Sequence, residues 1–164
     1  LLLHQRRVAR IDYVLLLPGR GALLDDCRIL AQQKGVADRV RFPGFTSNIE
    51  QYYRAADLCV SSSRSEGLPF NVMEAMACGL PAVLSDVKGH EDLVRSGENG
   101  LLFPYDDQNA FIRAVKQVTE PALRVQMSAA AVQTAVPYGI DAVFPTLTAI
   151  YSQAIPNQPK EVSE

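Results

Sequence analysis

The sequence predicts an α/β domain: a doubly wound parallel sheet with helices on both faces. Three observations carry this. The runs YVLLL (13–17), LCVS (58–61) and AVLS (82–85) are continuously apolar rather than alternating, which suits strands buried on both faces. Stretches with helical spacing lie between them, the clearest being Ala110, Phe111, Ala114, Val115 and Val118. Strand and helix patterns then alternate roughly five times, as βαβ units require.

In chain order, residues 1–10 mix Leu, Val and Ala with Arg and read as the end of a helix. The strand at 13–17 is broken by Pro18-Gly19-Arg20-Gly21. Residues 24–34 follow as a helix with Leu24, Cys27, Leu30 and Ala31 on one side, and Gly35 sits where a C-cap belongs. A brief strand at 40–42 precedes Pro43-Gly44, and Ser47 or Asn48 can cap a helix over 49–56. After the strand at 58–61 comes a polar loop, then a short apolar helix beginning at Pro69 and stopped by Gly79-Leu80-Pro81. The strand at 82–85 leads through Lys88-Gly89-His90 into a short helix over 91–95. A strand at 101–103 and a helix capped by Asp106 or Asp107 come next, followed by helices over 121–136 and 140–155. Pro145 is expected to kink the last helix or delay its start. One domain is expected over 1–155, with a loose polar tail over 156–164.

Composition excludes several classes. A net charge of −2 gives no reason to expect nucleic-acid binding. No apolar run approaches the ~20 residues of a membrane helix. The opening LLLHQRR lacks the length and charge order of a signal peptide, and its abrupt start reads as a chain cut inside a larger protein. Cys27, Cys59 and Cys78 form no CxxC pair, so free thiols in a reducing compartment are expected. His4 and His90 are too few and too far apart for a His-based metal site, and no metal is expected.

The chemistry concentrates in EGLPFNVMEAMACGL (66–80). Glu66 lies on a strand-to-helix loop, and the polar positions Asn71, Glu74 and Cys78 form one stripe on the helix that follows. Glu74 on so apolar a helix must face a cleft, solvent or a partner. Two carboxylates around a helix N-terminus can seat a ligand with both hydroxyls and phosphate: the N–H groups take the anion, and the carboxylates accept from hydroxyls. On spacing alone, a loop carboxylate plus a solvated helix carboxylate explains the pair equally well. Other candidates are more ambiguous. Gly19-Arg20-Gly21 fits a dinucleotide fingerprint only in part, because Leu24 stands where a third Gly or Ala belongs, and a tight turn explains it. The serines of 61–65 form a plain polar loop or part of a phosphate seat. His90 could be an acid, a base, a phosphate contact or a surface residue at a helix start. Asp25-Asp26 and Asp106-Asp107 read as first-turn or capping acids.

The stretch from Glu66 to Glu74 resembles the E-x7-E motif of retaining glycosyltransferases of the GT-B fold, the group 1 or family 4 class. VRFPGF (40–45), IEQYYRAADLCV (49–60), SEGLPFNVMEAMACGLPA (65–82), VKGHEDLV (87–94) and NGLLFPYD (99–106) resemble, in order, the Rossmann-like C-terminal donor-binding domain of that family. The likeness is greatest to enzymes of capsular or exopolysaccharide assembly. It implies that Glu66 contacts the donor sugar as the catalytic carboxylate, that Gly67 and Leu68 shape the sugar pocket, and that N–H groups around Phe70 and Asn71 hold the diphosphate. It further implies that Glu74 holds the ribose and that Gly44 and Phe45 lie near the base. The donor would be a nucleotide-diphosphate sugar, with no cofactor. The acceptor site would lie on a missing N-terminal domain. The parent would be cytoplasmic, at most peripheral to the inner face of the membrane. Neither Arg6 nor Arg7 matches the family's diphosphate-binding Arg and Lys, so the chain alone is expected to be inactive. The rival readings are a non-catalytic sugar-nucleotide-binding or interaction module, and an NAD-dependent oxidoreductase resting on Gly19-Arg20-Gly21.

Overall fold

The computed structural model describes residues 2–8 and 10–155. Its strands are β1 (Leu2–Val8), β2 (Arg10–Pro18), β3 (Val40–Gly44), β4 (Leu58–Ser61), β5 (Ala82–Ser85) and β6 (Gly100–Phe103). They form one sheet in the order β3-β2-β1-β4-β5-β6. The helices are α1 (Leu24–Gln33), α2 (Glu50–Ala55), α3 (Phe70–Ala77), α4 (Gln108–Val118), α5 (Pro121–Ala135) and α6 (Ile140–Ala154).

The pairs β2–β3, β4–β5 and β5–β6 are parallel, as the alternation of elements predicts. β1 is the exception. Residues 2–8 are a strand rather than the end of a helix, antiparallel to β2 from Leu2↔Leu16 to Val8↔Arg10 and antiparallel to β4. The slot between β2 and β4 offers unpaired N–H and C=O groups on both sides, and filling it outweighs a weak local preference for helix.

The central strands are buried on both faces, and their side chains divide between two cores. Leu58 and Val60 of β4 and Val83 of β5 meet Ala114, Val115 and Val118 of α4 on one face. Cys59, Ala82 and Leu84 meet Val72, Met73 and Met76 of α3 and Ala131 of α5 on the other. This two-sided burial is what the unbroken apolar runs encode. Residues 13–17 of β2 are only half-buried, because Tyr13 and Leu15 border an open cleft instead of a covering helix.

Several local expectations are corrected. Neither Ser47 nor Asn48 caps α2: Ile49 holds the N-cap position without a side-chain bond, and Thr46 Oγ1 accepts from the Asn48 N–H instead. Residues 91–93 are turns and 94–95 carry no regular structure, where a helix was expected; Gly89 at φ +88° interrupts the helical path just before them. On α1 only Ala31 is buried, while Cys27 and Leu30 are exposed. Pro145 lies inside α6, which starts on time at Ile140. The tail expected over 156–164 lies outside the described residues. Cys27, Cys59 and Cys78 are free thiols. Among the described residues no helix is long and apolar enough to cross a membrane.

Candidate functional site

The site is assembled where β2, β3 and β4 end, at the carboxyl edge at which parallel sheets usually bind ligands. From β4 the chain runs through the serine-rich loop to Glu66 and Pro69, then into α3. The loop is tied down from below: the Ser85 hydroxyl at the end of β5 donates to the Ser63 carbonyl at 2.7 Å. Gly89 packs against the same loop so closely that a Cβ there would lie 2.5 Å from the Gly67 carbonyl oxygen and 2.8 Å from that of Glu66. Glu66 is half-buried, and Gly67 and Leu68 are exposed.

Pro69 occupies the N-cap position of α3 and supplies no side-chain cap. Its carbonyl accepts from the Val72 and Met73 N–H groups. The N–H groups of Phe70 and Asn71 therefore face outward at the positive end of the helix dipole, the arrangement that attracts an anion. The helix turns Val72, Met73, Ala75 and Met76 into the core and leaves Asn71 and Glu74 exposed, so the predicted polar stripe lies on the outer surface. Phe70, expected among the apolar positions, is instead 70% exposed. Gly79, at φ +83°, ends the helix and sends the Leu80 N–H back to the Ala75 carbonyl.

Beside α3 opens a cleft of about 440 Å³ lined by Pro18, Gly19, Phe45, Thr46, Tyr53 and Asn71, among others. Phe45 is 66% exposed and carries the Arg20 guanidinium 5.2 Å from its ring centre. Gly44, at φ +80°, turns the chain after β3 and accepts from the Gly19 N–H at 2.8 Å. Tyr53 reaches from α2 to α3: its hydroxyl donates to Glu74 Oε2 at 2.9 Å. Burial, and then the bond to Glu74, push the Tyr53 phenol well above the usual tyrosine range, so it remains a proton donor.

Phe45 and Asn71 thus line one cleft, Glu74 is joined to it through Tyr53, and Gly44 shapes its rim. Glu66, Gly67 and Leu68 lie on the adjoining loop and are not part of the cleft lining. Tyr53 is a candidate site residue that sequence spacing missed, because its partner is 21 residues away on another helix. His90 is fully buried rather than a surface residue; its Nδ1 lies 2.9 Å from the Ser85 carbonyl oxygen. The Ser85 carbonyl can only accept, so Nδ1 donates to it, and Nε2 is buried without a hydrogen-bond partner among the described residues. Gly19-Arg20-Gly21 is a strand-to-helix turn, closed by the Leu24 N–H bonding to the Gly21 carbonyl. Asp107, not Asp106, caps α4 through the Ala110 N–H at 2.8 Å.

A larger cleft, about 550 Å³, lies under Tyr13, Phe103, Tyr105 and Phe111. It is mainly apolar, contains neither carboxylate of the E-x7-E pair nor any residue of α3, and its Asp107 is engaged in capping. The smaller cleft, with an open helix N-terminus and a carboxylate beside it, has the chemistry of a site.

Comparison with known proteins gives the family of the chain. The lipopolysaccharide core biosynthesis glycosyltransferase LpsE of Rhizobium meliloti is 37% identical over 74% of this chain and 36% of its own length. Sucrose-phosphate synthase from Thermosynechococcus elongatus superposes with a TM-score of 0.78 at 30% identity, over 85% of this chain and 38% of that one. HepE of Anabaena, solved in complex with UDP, superposes with a TM-score of 0.71 at 25% identity, over 86% of this chain and 41% of that one. The chain therefore spans well under half the length of each. Residues 2–120 match the family described as glycosyl transferases group 1, and the chain belongs to that family.

Proposed function

We propose that this chain is the donor-binding domain of a retaining glycosyltransferase that moves a sugar from a nucleotide-diphosphate sugar to an acceptor hydroxyl. The observation that carries the reading is a convergence at one edge of the sheet. An uncapped helix N-terminus, an exposed aromatic ring and an anchored carboxylate meet there, and each suits a different part of a nucleotide sugar. Phe45 offers a face for the base, and Glu74 accepts from the ribose hydroxyls. The Phe70 and Asn71 N–H groups take the diphosphate and stabilise the charge it gains as it leaves. Glu66, on the loop before the helix, accepts from the hydroxyls of the transferred sugar and fixes its orientation, with Gly67 and Leu68 shaping its surroundings. The positive pole of α3 supplies the countercharge, and the reading calls on no resident metal or cofactor.

Polysaccharide or glycoconjugate assembly is supported by the role of LpsE in lipopolysaccharide core biosynthesis, and a uridine donor by the UDP bound to HepE. The acceptor is assigned to a further domain of a longer parent. The surface that would meet it is the apolar stripe of α6: Ile140, Phe144, Leu147, Ile150 and Tyr151 are all exposed. Three free thiols suit a cytoplasmic parent, with membrane contact at most peripheral. The chain alone is expected to hold the donor weakly and to transfer no sugar.

The test is donor titration and turnover of the full-length parent with UDP-sugars, comparing wild type with Glu74→Ala. Loss of the ribose contact is expected to weaken donor binding about tenfold or more. Unchanged affinity and turnover would remove Glu74 from the site. Tight binding without any turnover by the wild-type parent would make it a binding module.

A further inference from the structure

Glu74 is exposed on α3 and, by itself, free to sample several rotamers. Tyr53 is not free: its side chain is 6% exposed and packs in the core formed with Val72 and Ala75 of α3. A tyrosine has two side-chain torsions, and here packing holds its ring. Tyr53 also lines the cleft, and its hydroxyl donates to Glu74 Oε2 at 2.9 Å. A carboxylate has about four acceptor positions on its two oxygens. The phenol occupies one of them, on the oxygen turned toward the core, and leaves Oε1 with both lone pairs for a ligand.

We propose that Tyr53 is a positioning residue for nucleotide binding. It holds Glu74 in the orientation that accepts from the vicinal ribose hydroxyls, and so sets the preference of the site for a ribonucleotide over one lacking those hydroxyls. This rests on the donor-site reading given above. The physical basis is preorganisation: a carboxylate already fixed by a buried donor loses less side-chain freedom when the nucleotide arrives. The effect is specific, because Tyr53 acts on the diol through Glu74. It does not act on the diphosphate, which the helix N-terminus holds, nor on the base.

The experiment compares UDP and GDP with their 2′,3′-dideoxy counterparts, by calorimetry on the full-length parent. Wild type is expected to prefer the ribonucleotide about tenfold or more. In Tyr53→Phe, which keeps the ring and removes only the hydroxyl, that preference is expected to fall about three- to tenfold, with dideoxynucleotide affinity unchanged. In the Glu74→Ala background, Tyr53→Phe is expected to add nothing. This double-mutant comparison remains informative even if the single variant is less stable. A preference that survives in Tyr53→Phe, or an equal loss for both nucleotides, overturns the inference. If wild type binds nucleotide but shows no preference, the ribose role of Glu74 fails first and the inference falls with it. If wild type binds none of the four nucleotides, the donor-site reading itself is wrong.

Discussion

Gly89 bears on the site without touching a ligand. Its φ of +88° lies where side chains other than glycine are strained, and a Cβ would press into the Gly67 carbonyl. Gly89→Ala should therefore push back the loop that carries Glu66. We expect a stability loss of about 2–4 kcal/mol in urea denaturation, with weaker donor binding. An unchanged midpoint would mean that the loop yields freely. Cys59 gives a prediction in pH. Burial pushes its thiol up from about 9 to about 11. The folded chain thus holds this proton more tightly than the unfolded chain. Its contribution to stability is complete below pH 9 and is lost as pH rises toward 11. Urea curves between pH 8 and 11 should show this fall, and Cys59→Ala should make it shallower, the remainder coming from Tyr53 and Cys78, whose protons the fold also holds more tightly. Residue identities at the site were partly legible in advance. Glu74 stood out because a carboxylate is unusual on so apolar a helix, and Glu66 because the stretch resembles the E-x7-E motif. Tyr53 did not, and His90 stayed ambiguous between a site residue and a surface one, because a tyrosine or a histidine looks the same in sequence whether it is at the surface or buried, and only the fold supplies the partners.

At the scale of elements, α4 shows what periodicity can and cannot specify. Its five predicted apolar positions are those that turn inward, and Asp107 caps it, so pattern and cap agree. Asp107→Ala should cost about 1 kcal/mol, readable as a drop in thermal midpoint, whereas Asp106→Ala should cost no capping energy. For α3 the boundaries were equally legible, from Pro69 at its start and Gly79 at its end. The cap of α2 was not, because Ser47 and Asn48 both suit the role by residue type while the backbone enters the helix at Ile49. Residues 91–95 read as helix by composition, but the positive φ at Gly89 interrupts the helical path just before them.

At the scale of the whole molecule, the β4-β5-β6 sheet and its two flanking cores followed from the continuity of the apolar runs. Met127 of α5 is fully buried in the α4-facing core, so Met127→Ala should destabilise the domain by about 2–5 kcal/mol, measured as a shift in urea midpoint. The strand at residues 2–8 was missed although its main partner is the adjacent β2; only Leu2 and Leu3 also pair with β4, more than fifty positions away, and that pairing is what carries β1 into the middle of the sheet. The half-buried face of β2 and the exposed stripe of α6 likewise depend on what covers them. The central claim concerns the site: the nucleotide binds across the open end of α3. Amide chemical-shift mapping of the chain titrated with UDP tests it most directly. The largest shifts are expected at Phe70 and Asn71, with Phe45 and Glu74 responding in the same titration. Shifts confined to Tyr13, Tyr105 and Phe111 around the larger cleft, with Phe70 and Asn71 unmoved, would contradict it.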